Sequence, residues 1–239
     1  MDIKKLLELA KIKPNPALDQ YFLTSDEILD QETALAELKK SDTVLEIGAG
    51  IGNLTIRLAK KCRVIAVEKD YSFMNVLKGI GCQAVFSDAL EFLESLRSKD
   101  SKTPFNKIVS NIPYSISQPL VLEFFRHKWD VAVLIVQKEF AGKLVSTERL
   151  GMIMKDMAEV KIVKNIPAGA FYPVAVPSSL IVIKQKNLLD EDFWNFLCSL
   201  KPNRNVANQV TRSGKLGPKK VHQLPLKELK ELYLSNSLK

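Results

Sequence analysis

From Thr43 onward, short and nearly continuous apolar runs alternate with segments of helical spacing. The runs at 43–47, 63–68, 83–86, 107–110 and 131–136 are strand-length and lack the alternation of a half-exposed sheet, which predicts parallel strands covered on both faces. Helical spacing fills the intervals at 53–60, with Leu54, Leu58 and Ala59 inward, and at 71–78, 89–97 and 117–127, where Pro119 falls in a first turn that tolerates it. The polar stretch 99–104 reads as a loop. Upstream, 1–13 predicts a short helix with Leu6, Leu7 and Leu9 on its apolar face, ended by Pro14 and Pro16. A second helix body at 28–40 carries Ile28, Leu29, Leu35 and Leu38 and is capped by Thr24 or Ser25. Downstream, 139–144 and 151–157 are helical, and strands at 160–166 and 180–184 flank a loop with no room for a crossover helix, so they read as an antiparallel hairpin. The expected fold class is α/β, a doubly wound, Rossmann-like sheet of seven strands, parallel except for one antiparallel hairpin strand, over residues 1–186. From 187 the texture changes to a helix with Phe193, Trp194, Phe196 and Leu197, a basic stretch and a last helix at 226–234. This reads as a small helical domain over 187–239.

Composition narrows the classes. A hydrophobic fraction of 46% over 239 residues suits a full core and excludes disordered and fibrous chains. No apolar run reaches the roughly 18 residues of a membrane span, and the first residues are charged and amphipathic, so the expectation is a soluble, cytoplasmic protein. Cys62, Cys82 and Cys198 form no C-x-x-C and have only His127 and His222 as co-ligands, so neither a metal site nor a disulfide framework is expected. Two histidines also make a His-based acid/base mechanism a poor fit. The net charge is +8, and the stretch from Lys201 to Lys220 holds six cations and no acid, interleaved with Asn and Gln. Such a run is either a solvated surface or a set of phosphate contacts.

Candidate chemistry gathers where the expected strands end. Ligands of open α/β sheets bind beyond the carboxyl ends of the strands. There stand Gly48-Ala49-Gly50-Ile51-Gly52-Asn53 after the first strand, Glu68 after the second, Asp88 after the third and Asn111 after the fourth. Because position 53 is Asn, the turn is G-x-G-x-G and departs from the dinucleotide fingerprint. Glu68, 20 residues after Gly48, is placed to accept hydrogen bonds from both hydroxyls of a ribose, and Asp88 can accept from an adenine amine. Two carboxylates disfavour a pyrophosphate and no G-K-[ST] follows, so S-adenosylmethionine fits better than ATP. A strand-closing acid is also an ordinary helix-opening residue; the shared edge is what gives these two weight. Asn111-Ile112-Pro113-Tyr114 has the shape of a clamp for a planar amine: the Asn carbonyl accepts from an NH2, the proline restricts the backbone, and the tyrosine offers a flat face. Alone, the same four residues are a turn.

The segment Val44-Leu45-Glu46-Ile47-Gly48-Ala49-Gly50-Ile51-Gly52-Asn53-Leu54-Thr55, with Glu68, Ser87-Asp88-Ala89 and the Asn111 tetrapeptide, resembles a class I S-adenosylmethionine-dependent methyltransferase acting on an amino nitrogen. Asp19-Gln20-Tyr21-Phe22-Leu23 and Val136-Gln137-Lys138-Glu139 narrow the resemblance to the KsgA family of small-subunit ribosomal RNA adenine dimethyltransferases, over about residues 15–185. The resemblance implies a cofactor site of Gln20, Tyr21, Leu23, Gly48, Gly50, Glu68, Lys69, Asp88, Ala89 and Asn111. It also implies that Asn111, Ile112, Pro113 and Tyr114 hold the target adenine, with Phe171 stacking on it. The activity implied is N6,N6-dimethylation of two adjacent adenosines near the 3′ end of small-subunit (16S) ribosomal RNA, on RNA or a pre-30S particle, during ribosome biogenesis. Arg204, Arg212, Lys215, Lys219 and Lys220 are the expected RNA contacts; no metal is implied and nothing demands a dimer. The family loop F-x-P-x-P-x-V-x-S appears with Ala175 for its second proline and Pro177 for its valine, and the C-terminal domain is shorter than is usual for the family. The alternatives are another adenine-N6 methyltransferase, on large-subunit RNA or DNA, a non-enzymatic assembly factor on the same fold, and a small-molecule methyltransferase, which leaves the basic stretch unexplained.

Overall fold

Two hydrophobic layers sandwich one sheet in the computed structural model, which describes residues 3–97, 102–201 and 203–237. The strands among the described residues are β1 (Phe22–Leu23), β2 (Thr43–Ile47), β3 (Arg63–Glu68), β4 (Gln83–Phe86), β5 (Lys107–Asn111), β6 (Val131–Gln137), β7 (Ala158–Ile166), β8 (Phe171–Tyr172) and β9 (Ser178–Gln185). Seven of them form a sheet in the order β4-β3-β2-β5-β6-β9-β7, while β1 and β8 make a separate antiparallel pair. Strands β2 to β6 pair in parallel. The expected hairpin forms, with its second strand inserted: β9 lies antiparallel between β6 and β7, so β7 points the same way as the rest and occupies the edge. Neighbouring residues of one strand enter opposite layers. Leu45, Ile108 and Leu134 join one buried cluster, and Val44, Val109 and Val133 the other, which is why these strands read as unbroken apolar runs.

Several helix boundaries differ from expectation. The first helix spans Ile3–Leu9 and buries Ile3 and Leu7, whereas Leu9 is 72% exposed; two positions past Leu7, it falls on the far side of a 3.6-residue turn. The second spans Asp26–Leu35, with the Ser25 hydroxyl accepting from the Ile28 amide, and ends before residue 40 because Glu37 takes a left-handed φ of 46°. The third covers only Thr55–Ala59, the preceding residues being taken up by the glycine turn. Residues 71–78 split into a 3-10 turn, Tyr71–Phe73, and a short helix, Met74–Lys78, and the helix after β5 stops at Phe124. Of the loop expected at 99–104, residues 99–101 lie outside the described residues, as do residues 1 and 2 of the first helix. The last helix runs Leu226–Ser237, slightly longer than expected.

Past 187, the helices Glu191–Ser199 and Leu226–Ser237 bracket a series of 3-10 turns. Phe193, Leu197, Leu200, Val206, Leu229 and Leu232 belong to the same buried cluster as Leu134 and Met154. Arg126 to Glu191, at 2.9 Å, and Lys230 to Asp156, at 2.6 Å, tie them to the helices flanking the sheet. No helix among the described residues is long and apolar enough to cross a membrane.

Candidate active site at the carboxyl edge

The sheet order reverses between β2 and β5, and a cavity of about 200 Å³ opens beyond the carboxyl ends of the strands there. Its floor is the glycine turn. Gly48 (φ 72°) donates its N–H to Val67 O at 2.8 Å, and Gly50 (φ 52°) is held where a Cβ would stand 2.8 Å from the Phe22 ring. No other residue fits there without strain. The Gly50 N–H donates to Glu68 Oε2 and the Asp70 N–H to Glu68 Oε1, both at 2.8 Å. Burial raises the Glu68 carboxyl above its ordinary value, while amides of Asp70, Gly50 and Lys69 pull it back down. Each Glu68 oxygen therefore has one backbone donor and further acceptor capacity for a ligand hydroxyl. Asp88 opens the helix Ala89–Ser95: Oδ1 accepts from the Leu90 amide at 2.9 Å and Oδ2 meets Lys69 Nζ at 2.9 Å. The Lys69 ammonium, opposed by burial, holds the Asp88 carboxyl below the ordinary range. Asp88 is thus both a helix cap and a cavity residue.

A strap from Pro16 to Leu23 closes one side. Asp19, left-handed at φ 54°, accepts the Ser115 amide at 2.9 Å, and Gln20 donates to Asp70 Oδ2 at 2.7 Å while accepting from the Asn15 amide at 2.8 Å. β1 then pairs with β8. Gln20, Tyr21, Leu23, Gly48, Gly50, Glu68, Lys69, Asp88, Ala89 and Asn111 all line the one cavity, together with Pro113.

The tetrapeptide divides its work. Asn111 ends β5, and its Oδ1 is buried with no hydrogen-bond partner. Ile112 is buried in the core at 1% exposure. The Tyr114 ring stacks on Tyr21 at 6.0 Å between centroids and 19° between planes. Tyr114 Oη lies 2.8 Å from Ser178 Oγ, and Ser178 donates to Val176 O at 3.1 Å. With the single Ser178 proton used there, Tyr114 is the donor of the first bond. Burial pushes the Tyr114 hydroxyl above its ordinary value, which keeps it a donor. Phe171, read as a stacking ring, is 4% exposed in β8 and packed with the Phe22 cluster; it is absent from the cavity lining, as are Ile112 and Tyr114 of the tetrapeptide. Arg204, Arg212, Lys215, Lys219 and Lys220 are all exposed among the C-terminal turns, with Lys219 paired to Glu228 at 3.0 Å.

Sequence reasoning passed over Asp19, Glu46, Asn53, Asp70 and Ser115, which also line the cavity. Glu46 carried a readable signal, an acid inside an apolar run. It is buried, and burial pushes its carboxyl up to about 8. Among the described residues no cluster of His, Cys, Asp and Glu is arranged to hold a metal ion. Carboxylate acceptors, glycine backbone and the orphaned Asn111 carbonyl form a donor and acceptor set that suits a nucleoside with amino groups and no phosphate.

A sheet in this order, with one antiparallel strand wedged beside the edge, defines the class I methyltransferase fold. The dimethyladenosine transferase from Plasmodium falciparum shares it, with a TM-score of 0.75 over 90% of this chain and 96% of that one at 24% identity, a likeness of fold. The model of the family described as ribosomal RNA adenine dimethylase matches residues 12–236, and the chain belongs to that family. It is 35% identical over 193 residues to the probable ribosomal RNA small subunit methyltransferase A of Thermococcus sibiricus, covering 78% of this chain and 69% of the relative. The protein of the same description from Methanosarcina mazei is 40% identical over 190 residues, 75% of this chain and 68% of the relative.

Proposed function

We propose that this chain uses S-adenosylmethionine to dimethylate N6 of two adjacent adenosines near the 3′ end of small-subunit ribosomal RNA, within a pre-30S particle. Asn111 Oδ1 carries the reading: a buried carbonyl of a cavity-lining residue that lacks a donor. Leaving such a group unpaired costs about 1–3 kcal/mol, and the exocyclic amine of an adenine supplies the missing hydrogen. Family membership and small-subunit relatives support the RNA substrate.

When bound, S-adenosylmethionine supplies a methyl group activated on a sulfonium. Glu68 would accept from the ribose hydroxyls of that cofactor and Asp88 from its adenine amine. The target N6 is a weak nucleophile because its lone pair is delocalised into the ring. Asn111 Oδ1 would accept a hydrogen bond from one N–H of that amine and the Ile112 or Pro113 carbonyl from the other, which favours a pyramidal nitrogen with its lone pair free to react. Alignment of this kind is worth roughly 7–11 kcal/mol. The target base must leave its stack, at a cost of a few kcal/mol, and an aromatic face such as Tyr114 returns roughly 1–3 kcal/mol. Asn111→Ala should lower methyl transfer to undermethylated small-subunit particles by about 100- to 1,000-fold. The fold, by thermal stability, and most of the cofactor binding, by calorimetry, should be retained. Normal turnover by that variant removes the clamp.

A further inference from the structure

The opposite edge of the sheet carries a second basic surface. The parallel strands begin there, and three adjoining hollows run along it. The largest, about 820 Å³, lies between the end of the second helix and the 184–188 segment. It shares Lys128, Trp129 and Asp130 with the next hollow, which shares Thr43 and Pro104 with the third. The trough passes β4, β3, β2, β5, β6 and β9, about 24 Å at the usual spacing between strands. Lys39, Lys128, Lys184, Lys186, Lys102 and Arg63 line it, all exposed. None of the six takes part in an ion pair among the described residues. Of the acids, Asp42 is bound to Lys107 at 3.1 Å, which leaves Glu37 and Asp130 in the lining and Glu159 across from Lys184 in the β7–β9 register. Leu188 is the one large apolar side chain in the lining that is strongly exposed among the described residues. A line of uncommitted cations in a concave trough whose aromatic residues, Trp129 and Phe105, are buried, and which exposes Leu188 alone among large apolar side chains of the described residues, suits a phosphate backbone better than a protein partner, which needs exposed anchors.

We propose that this trough binds the phosphodiester backbone of an RNA segment remote from the methylated adenosine, so that one RNA particle grips the enzyme at both ends of its sheet. The proposal rests on the RNA reading above. Its test is the quadruple variant Lys39→Gln, Lys128→Gln, Lys184→Gln and Lys186→Gln, compared with wild type for binding to deproteinised small-subunit ribosomal RNA across a salt series. With four phosphate-binding cations neutralised, the slope of log affinity against log salt should be shallower by about 3, so a fourfold rise in salt weakens wild type about 60-fold more than the variant. Methylation of a short hairpin carrying only the target loop should be unchanged in kcat and KM. An unchanged slope overturns the trough, even if methylation is normal. So does a variant that loses affinity for poly-glutamate while keeping that for RNA. A shallower slope in a protein whose wild type methylates no ribosomal RNA upholds the trough and sinks the functional reading instead.

Discussion

The two ends of the sheet are made from the same strands and carry opposite chemistry. At the carboxyl edge stand Glu46, Glu68, Asp70 and Asp88, and the one lysine in the cavity lining, Lys69, is bound to an acid. At the amino edge the exposed lysines of the trough make no ion pair among the described residues, and only the buried Lys107 is paired, to Asp42, which Asn106 and the Lys39 amide also hold. Burial alone raises the Asp42 carboxyl, and these donors overcome it and hold it below the ordinary range. The difference follows from the topology. Helices of a doubly wound fold run against the strands, so their N–H ends converge on the carboxyl edge and favour acids, and their carbonyl ends converge on the amino edge and favour cations. Asp88 capping Leu90 and Lys107 donating to Ala36 O and Glu37 O, both at 2.8 Å, are the two halves of one pattern.

The largest effect that tests this pattern lies at the amino edge. Lys107→Met removes both carbonyl contacts and leaves Asp42 without its cation, so folding stability should fall by about 3–5 kcal/mol, seen as a lower denaturation midpoint with kcat per folded molecule unchanged. Adding Asp42→Asn should restore a large part of that loss; no restoration would mean that capping, not the charge pair, holds this edge. At the carboxyl edge the expected loss is in binding. Glu68→Gln replaces a two-oxygen acceptor by one oxygen and an NH2, and a hydrogen bond to a charged group is worth about 1.5–3 kcal/mol. Affinity for S-adenosylhomocysteine, measured by calorimetry, should drop by roughly 10- to 100-fold. Stability falling while affinity holds would show the Glu68 carboxylate to be a fastener of the turn.

The contrast also explains what could be read in advance. Parallel strands buried on both faces announce themselves as apolar runs, and residues at their ends are then placed by topology alone, which is how Gly48, Glu68, Asp88 and Asn111 fell on one cavity. The strap was not legible beyond its motif, because Asp19 to Ser115 and Gln20 to Asp70 are contacts across 96 and 50 residues. Leu9 misled because a leucine beside others in a short helix need not share their face. The burial of Phe171 comes from the β1–β8 pair, whose two-residue strands carry no periodic signal. The amino-edge trough is assembled from cations far apart in the chain, on strand ends such as Arg63 and Lys184 and on connecting segments, so it is invisible as a charge run.

Not every acid near the carboxyl edge serves a ligand. Glu32 is buried in the second helix, neither of its oxygens has a hydrogen-bond partner, and burial, with the nearby Glu46, raises its carboxyl well above the ordinary value. The folded state therefore holds a proton that the unfolded chain releases above about pH 4.5. Stability from this group is full below that pH and is lost as pH rises toward the folded-state value. Glu32→Leu should stabilise the protein by roughly 1–3 kcal/mol, with a larger gain at pH 8 than at pH 5 in paired thermal melts. A gain independent of pH would mean that Glu32 is not protonated in the fold.

The smallest effect concerns Tyr114, the last residue of the proposed clamp. Tyr114 donates to Ser178, whose own proton goes to Val176 O, so the ring is anchored to the segment carrying Val174 and Val176, which are 70% and 42% exposed. If that chain of two hydrogen bonds orients the ring for a base, then Ser178→Ala and Tyr114→Phe remove the same constraint. Each should lower kcat/KM on the RNA substrate about fivefold, the worth of one ordinary hydrogen bond near 1 kcal/mol. Made together, they should lose little more than either alone. Both changes leave the acidic carboxyl edge untouched, so cofactor affinity should not move. Additive losses, or a parallel fall in cofactor affinity, would separate the loop from the clamp and leave the Asn111 carbonyl to orient the base without help from the tyrosine.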